Sequence, residues 1–231
     1  MARLYIVATP IGNLEDITLR AQKILGAVPY VACEDTRRTG MLLSRLQVRQ
    51  EGRPALVRCD AHNAEKCIPR ILSIIEGGEN VAYVSDAGTP GVSDPGGRLV
   101  AAVVEAGYAV EPIPGVSALT ALLSVSGISS SGWFFEGFLS NKSGRRTRRL
   151  GELLERGDPF VLYESPHRIV KLLSAIADIE PEAHLVIGRE MTKLHEEFLR
   201  GSAGELAQKA AETGIIAKGE FAILVLPTKS S

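Results

Sequence analysis

The chain has 231 residues, 45% of them hydrophobic and 23% charged, and a formal net charge of −1. This is the composition of a globular enzyme with one large domain or two small ones. It excludes a uniformly basic nucleic-acid binder, and no apolar run approaches the ~18 residues that a membrane helix needs.

The opening segment, residues 1–10, has only a short apolar run before Pro10 and Gly12. It reads as a first strand over residues 4–8 rather than a signal peptide, so a cytoplasmic location is expected. A helix follows over 19–27, a strand over 30–33, a helix over 39–46 and a strand over 55–58. Ile68, Ile71, Leu72 and Ile75 keep the 3, 4, 7 spacing of an amphipathic helix, which Gly77-Gly78 stops. Residues 81–84 form a fourth strand, 98–106 a helix and 109–113 a fifth strand. Such alternation implies a mostly parallel sheet covered by helices.

Beyond Pro114-Gly115 the pattern continues with a helix (116–126), a strand (133–139) and a helix (147–154). Then come a strand (160–163), a helix (169–176) and a strand (185–187). An edge strand (194–199), a helix (205–212) and a closing strand (221–226) complete it. Two α/β domains are expected, 1–114 and 115–231.

Cys33, Cys59 and Cys67 cannot all pair and form no Cys-x-x-Cys, so a disulfide framework is not expected. Cys59, His62 and Cys67 lack a fourth ligand at a usual spacing, so no metal is expected. No two glycines stand two apart, no Gly-Lys pair exists, and Gly-x-Ser-x-Gly is absent. Those absences remove the dinucleotide fingerprint, the P-loop and the hydrolase nucleophile elbow.

Four Gly- or Pro-punctuated loops remain: 8–13, 33–38, 85–97 and 113–118. Each follows a strand. In a parallel sheet such loops converge at one carboxyl edge, where open α/β sheets bind ligands. The richest is 85–97, in which Gly88, Gly91, Gly96 and Gly97 accompany Pro90 and Pro95.

The motifs Thr9-Pro-Ile-Gly-Asn-Leu-Glu-Asp16, Cys33-Glu-Asp-Thr-Arg37, Ser85-Asp-Ala-Gly-Thr-Pro-Gly91, Pro114-Gly-Val-Ser-Ala118, Glu136-Gly-Phe-Leu139 and Tyr163-Glu-Ser-Pro-His-Arg168 occur in this order. With them the chain resembles the ribosomal RNA small subunit methyltransferase I family, a branch of the tetrapyrrole (corrin/porphyrin) methylase superfamily. The resemblance runs from residue 3 to about residue 226. It implies two α/β domains of the tetrapyrrole-methylase type with S-adenosylmethionine in a cleft between them, and a homodimer. It also implies 2′-O-methylation of a cytidine in small-subunit (16S) ribosomal RNA near the decoding site, on naked RNA or on the assembled subunit. Ala-Gly-Thr-Pro stands where the tetrapyrrole branch more usually has Gly-Gly-Asp-Pro, which points to the RNA branch.

By the same resemblance, Pro10, Ala87, Gly88, Thr89, Val92, Ser117 and Ala118 match cofactor-loop positions. Glu164 and Met191 match positions on the adenosine side. A ribose hydroxyl is a weak nucleophile, so a proton acceptor helps. Glu34, Asp35 and Asp86 are the candidates, with Glu164 a fourth carboxylate. Asp35 and Asp86 serve equally as helix caps or loop hydrogen-bonders.

Residues 141–149 hold five cations, Lys142, Arg145, Arg146, Arg148 and Arg149, and no acid. They read either as a mobile loop that grips RNA phosphates or as a solvated helix start. Cations at a helix start oppose its dipole, which favours the first. Arg37, Arg38, His167 and Arg168 extend the patch, although His167 serves equally as a helix cap. Trp133, Phe134 and Phe135 offer stacking surfaces, but strand alternation favours core packing for them. A tetrapyrrole-precursor methyltransferase needs no such cationic segment. A non-catalytic ribosome-assembly factor needs no turnover. Both stand as alternatives.

Overall fold

The computed structural model describes residues 2–47, 54–94, 96–213 and 218–228. The chain divides into two compact units, Met1–Ser117 and Ala118–Ser231.

In the first unit, β1 (Arg3–Val7), α1 (Leu19–Ala27), β2 (Tyr30–Cys33), α2 (Thr36–Arg45) and β3 (Ala55–Arg58) are followed by α3 (Ala64–Glu76), β4 (Val81–Val84), α4 (Gly96–Glu105) and β5 (Ala109–Ile113). The strands form a five-stranded sheet ordered β3-β2-β4-β1-β5, with every pairing parallel. β4 is apolar along its whole length because both faces of the sheet are covered. Val81 and Tyr83 pack with Ile71, Ile75, Leu99 and Val103, under α3 and α4. Ala82 and Val84 point the other way, to Ala21 and Leu25 of α1. Gly96 lets α4 begin directly on the buried Tyr83 ring, where an added Cβ would lie 2.6 Å from Tyr83 Cε1.

In the second unit, α5 (Ala118–Val125), β6 (Phe134–Phe138), α6 (Ser143–Arg156), β7 (Phe160–Glu164), α7 (Ile169–Ile179) and β8 (His184–Arg189) precede β9 (Glu197–Ser202), α8 (Ala203–Thr213) and β10 (Phe221–Leu226). The sheet order is β6-β7-β10-β8-β9. Only β6 and β7 run parallel, and the other pairings are antiparallel. One core joins Phe160, Leu162, Ile187 and Ile223 of the sheet to leucines of α6, α7 and α8.

Three local expectations change. The cationic segment is not a loop, because α6 starts at Ser143. Leu150, Leu153 and Leu154 are buried at helical spacing, and their burial carries the helix back through the arginines despite the adverse dipole. β9 begins at Glu197, because residues 190–195 turn with positive φ at Glu190 and Thr192. Finally, Cys59 and Cys67 are joined in a disulfide, with Cα atoms 5.4 Å apart. The end of β3 and the first turn of α3 bring the two residues within bridging range. Cys33 is buried and unpaired.

No helix among the described residues is long and apolar enough to cross a membrane. No group of three or more His, Cys, Asp or Glu among them could hold a metal ion.

Candidate active site

At the carboxyl edge of the parallel sheet, the loops after β1 and β4 are stitched together. The Thr9 amide donates to the Gly88 carbonyl at 2.9 Å, and the Gly88 amide donates back to the Thr9 carbonyl at 3.0 Å. Gly88 holds φ +81° there, a conformation that L side chains rarely adopt. The Thr89 hydroxyl donates to the Val116 carbonyl at 2.8 Å, tying the same loop to the segment after β5. Gly115 permits that third approach, since a Cβ on it would lie 2.9 Å from the Ala8 Cβ.

Asp94 shapes the far end of the loop. Its carboxylate accepts from the Gly91 amide, from Val92 at 3.1 Å and from Gly96 at 2.8 Å. The result is a rigid rim in which Ala87 and Gly91 stay exposed and Gly88 is buried. Pro10, Val92 and Ser117 line it half-buried.

The loop after β2 adds the carboxylates. Asp35 caps α2, accepting from the Arg37 amide at 2.8 Å, and its other oxygen pairs with the Arg37 guanidinium at 3.0 Å. Those bonds hold its carboxyl down at about 2. Asp86 pairs with Arg38 at 3.1 Å.

Glu34 differs from both. It has no cationic partner among the described residues, and its Oε1 accepts from the Asp86 amide at 3.2 Å. Burial pushes its carboxyl up, the Asp86 amide opposes this, and the neighbouring Asp86, Asp94 and Asp60 push it up further. Of the three expected candidates, Glu34 alone combines partial burial, a raised pKa and contact with the glycine loop.

Unit 2 carries the other expected residues. Glu164 is 2% exposed, at the end of β7. Its Oε2 lies 2.9 Å from Arg168 Nη2, and its Oε1 accepts from the Ser165 amide at 2.8 Å. Arg168 also donates to the Leu139 carbonyl at 2.8 Å and to Asn141 Oδ1. Met191 is buried against Gly188. Ala118 opens α5.

On α6, Arg149 forks onto Glu136 at 2.8 and 2.9 Å and also reaches Glu152. Arg148 lies 3.7 Å from Glu152. Lys142 and Arg145 are exposed and have no carboxylate partner among the described residues, while Arg146 is half-buried. His167 is exposed just before Arg168, which takes the N-cap position of α7.

The sequence model of the tetrapyrrole (corrin/porphyrin) methylases matches residues 3–207. The chain belongs to the tetrapyrrole methylase family. Within that family it is 47% identical, over 98% of its length and 100% of the relative's, to a protein of Borrelia garinii subsp. bavariensis. It is 41% identical, over 98% of its length and 76% of the relative's, to one of Neisseria meningitidis serogroup B. Both relatives are named ribosomal RNA small subunit methyltransferase I.

Solved tetrapyrrole methylases share the fold at lower identity. A cobalt precorrin-4 methyltransferase of cobalamin biosynthesis superposes with TM-score 0.71 at 17% identity, covering 96% of this chain and 94% of that one. A uroporphyrin-III C-methyltransferase from Thermus thermophilus, in complex with S-adenosyl homocysteine, gives 0.65 at 20% identity, covering 96% and 97%.

Two residues of this tetrapyrrole methylase escaped sequence reasoning. Thr9 has no motif chemistry of its own; it matters because an isolated antiparallel bridge sets it opposite Gly88. Asp94 did leave a trace, an acid two residues before Gly96, where α4 begins, as a capping residue would be.

Proposed function

We propose that this chain transfers a methyl group from S-adenosylmethionine to the 2′-hydroxyl of a cytidine in small-subunit ribosomal RNA, near the decoding site. The observation that carries this reading is 41–47% identity, over 98% of the chain, to relatives named for methylating that RNA. It is taken to act in the cytoplasm, as a homodimer.

The glycine rim fits the cofactor. Pro10, Ala87, Gly88, Thr89, Val92 and Ser117 present backbone and small side chains; a Cβ at Gly115 would intrude on Ala8, and the φ of +81° at Gly88 disfavours any side chain there. When bound, S-adenosylmethionine supplies an electrophilic methyl on its sulfonium.

The chain's own residues would position and deprotonate the ribose. Glu34 accepts the hydroxyl proton. Its raised pKa makes it a better acceptor than Asp35, which Arg37 has already neutralised in effect. The Arg38–Asp86 pair positions Glu34, because the Asp86 amide is its hydrogen-bond donor. Lys142 at the N-cap of α6 and Arg145, Arg146 and Arg148 within it supply cations for RNA phosphates, and His167, next to Arg168, is a further contact. A tetrapyrrole substrate would leave those cations unused, and the solved tetrapyrrole enzymes, at 20% identity or less, share only the fold.

The decisive measurement is methyl transfer to small subunits purified from cells that lack this methylation, with the product nucleoside identified by mass spectrometry. 2′-O-methylcytidine is expected. No transfer to subunits, together with methylation of a porphyrinoid precursor, would overturn the reading.

A further inference from the structure

We propose that Phe138 is a stacking platform for an unpaired base of the RNA substrate, with the cations of α6 taking the neighbouring phosphates; this deepens the function proposed above and rests on it. The ring's position comes from a break in strand alternation. β6 is an edge strand, and its register against β7 shifts between Phe135 and Gly137, where Gly137 takes φ +72°.

Without that bulge Phe138 would share a face with Phe134 and Glu136. Phe134 packs on the core beneath α6, and Glu136 holds Arg149. The extra residue turns Phe138 to the opposite face. There it meets Tyr163 at 5.7 Å between ring centroids, as Phe135 does at 5.0 Å.

The outcome is a large aromatic ring left 57% exposed. Its surroundings say what it suits. Residues 137–151 hold five cations and no acid. Lys142 lies four residues on, within about 14 Å along even an extended chain, a span of one or two nucleotides. The segment between ring and cations is fixed, because Arg168 holds both the Leu139 carbonyl and the Asn141 side chain. An exposed aromatic beside free cations is the combination by which proteins hold single-stranded nucleic acid. A protein surface docking here would instead have to bury Lys142 and Arg145 without acids of its own chain beside them.

The test uses the full chain and a fluorescent single-stranded RNA of about ten nucleotides, read by anisotropy. Phe138→Ala is expected to weaken binding roughly 5- to 100-fold, and Phe138→Trp to retain it, with unfolding midpoints unchanged. Wild-type protein that methylates small subunits but whose RNA affinity ignores F138A overturns this inference alone. So does an F138A protein whose sedimentation shows a changed oligomeric state, since the ring would then belong to a contact between copies. Wild-type protein that neither binds RNA nor methylates subunits overturns the underlying function as well.

Discussion

Replacing Glu34 with glutamine is expected to lower methyl transfer by about 10²–10⁴-fold, the usual worth of a positioned proton acceptor. Glutamine keeps an oxygen to accept from the Asp86 amide, so the loop geometry should survive. The pH dependence gives the sharper reading. In wild-type protein, activity should fall on the acid side with an apparent pKa above that of an ordinary glutamate, because burial and the neighbouring carboxylates raise Glu34. The glutamine variant should lose that limb.

Stability should move the opposite way. A carboxyl whose pKa is raised by folding stabilises the fold below its unfolded pKa and ceases to do so as pH rises through the folded value. At neutral pH the wild type therefore carries an adverse charge that E34Q removes. Its thermal midpoint should hold or rise while turnover falls. A parallel loss of both would make Glu34 a structural residue only, and retained turnover would remove it from the chemistry.

Replacing Arg168 with alanine is expected to destabilise the protein by about 3 kcal/mol, the low end for breaking a buried ion pair. The Glu164 side chain is 1% exposed and that of Arg168 is 21% exposed. Truncation would strand a carboxylate that has only the Ser165 amide left, and would free the Leu139 carbonyl as well. Denaturant unfolding should register the loss. Adding Glu164→Gln should recover part of it, because no uncompensated charge then remains. Arg168→Lys should fall between, since one ammonium cannot hold three acceptors in a planar fork. If Arg168 served RNA alone, R168A would unfold like wild type and lose only RNA affinity.

Much of this was readable beforehand, for physical reasons. β4 had to be a fully buried strand, since four apolar residues precede a Gly/Pro loop. The spacing Ile68, Ile71, Leu72, Ile75 placed α3, and parallel alternation sent four loops to one edge. The choice among three carboxylates was not readable. It depends on Arg37 and Arg38 of α2 reaching Asp35, at its N-cap, and Asp86, in the loop after β4, contacts that no spacing encodes. The start of α6 was also hidden. Its arginines and Gly144 argue locally for a loop, and only the packing of Leu150, Leu153 and Leu154 outweighs them. The bulge that exposes Phe138 rests on a single glycine φ, and the Cys59–Cys67 pairing on a chain reversal between β3 and α3.

The internal ion pairs have one more consequence, for how RNA affinity should respond to ionic strength. Arg37, Arg38, Arg148, Arg149 and Arg168 already face carboxylates of their own chain. A phosphate meeting one of them exchanges one anion for another and sets few counterions free. Only Lys142, Arg145 and half-buried Arg146 neutralise phosphate afresh. With each such contact worth about −0.7 in the slope of log K against log salt for single strands, the total should be about −2. The cation count alone would suggest nearly three times that. A tenfold rise in salt would thus weaken binding about 100-fold, far less than the full cation count implies, leaving more of the selectivity to shape and stacking than to charge.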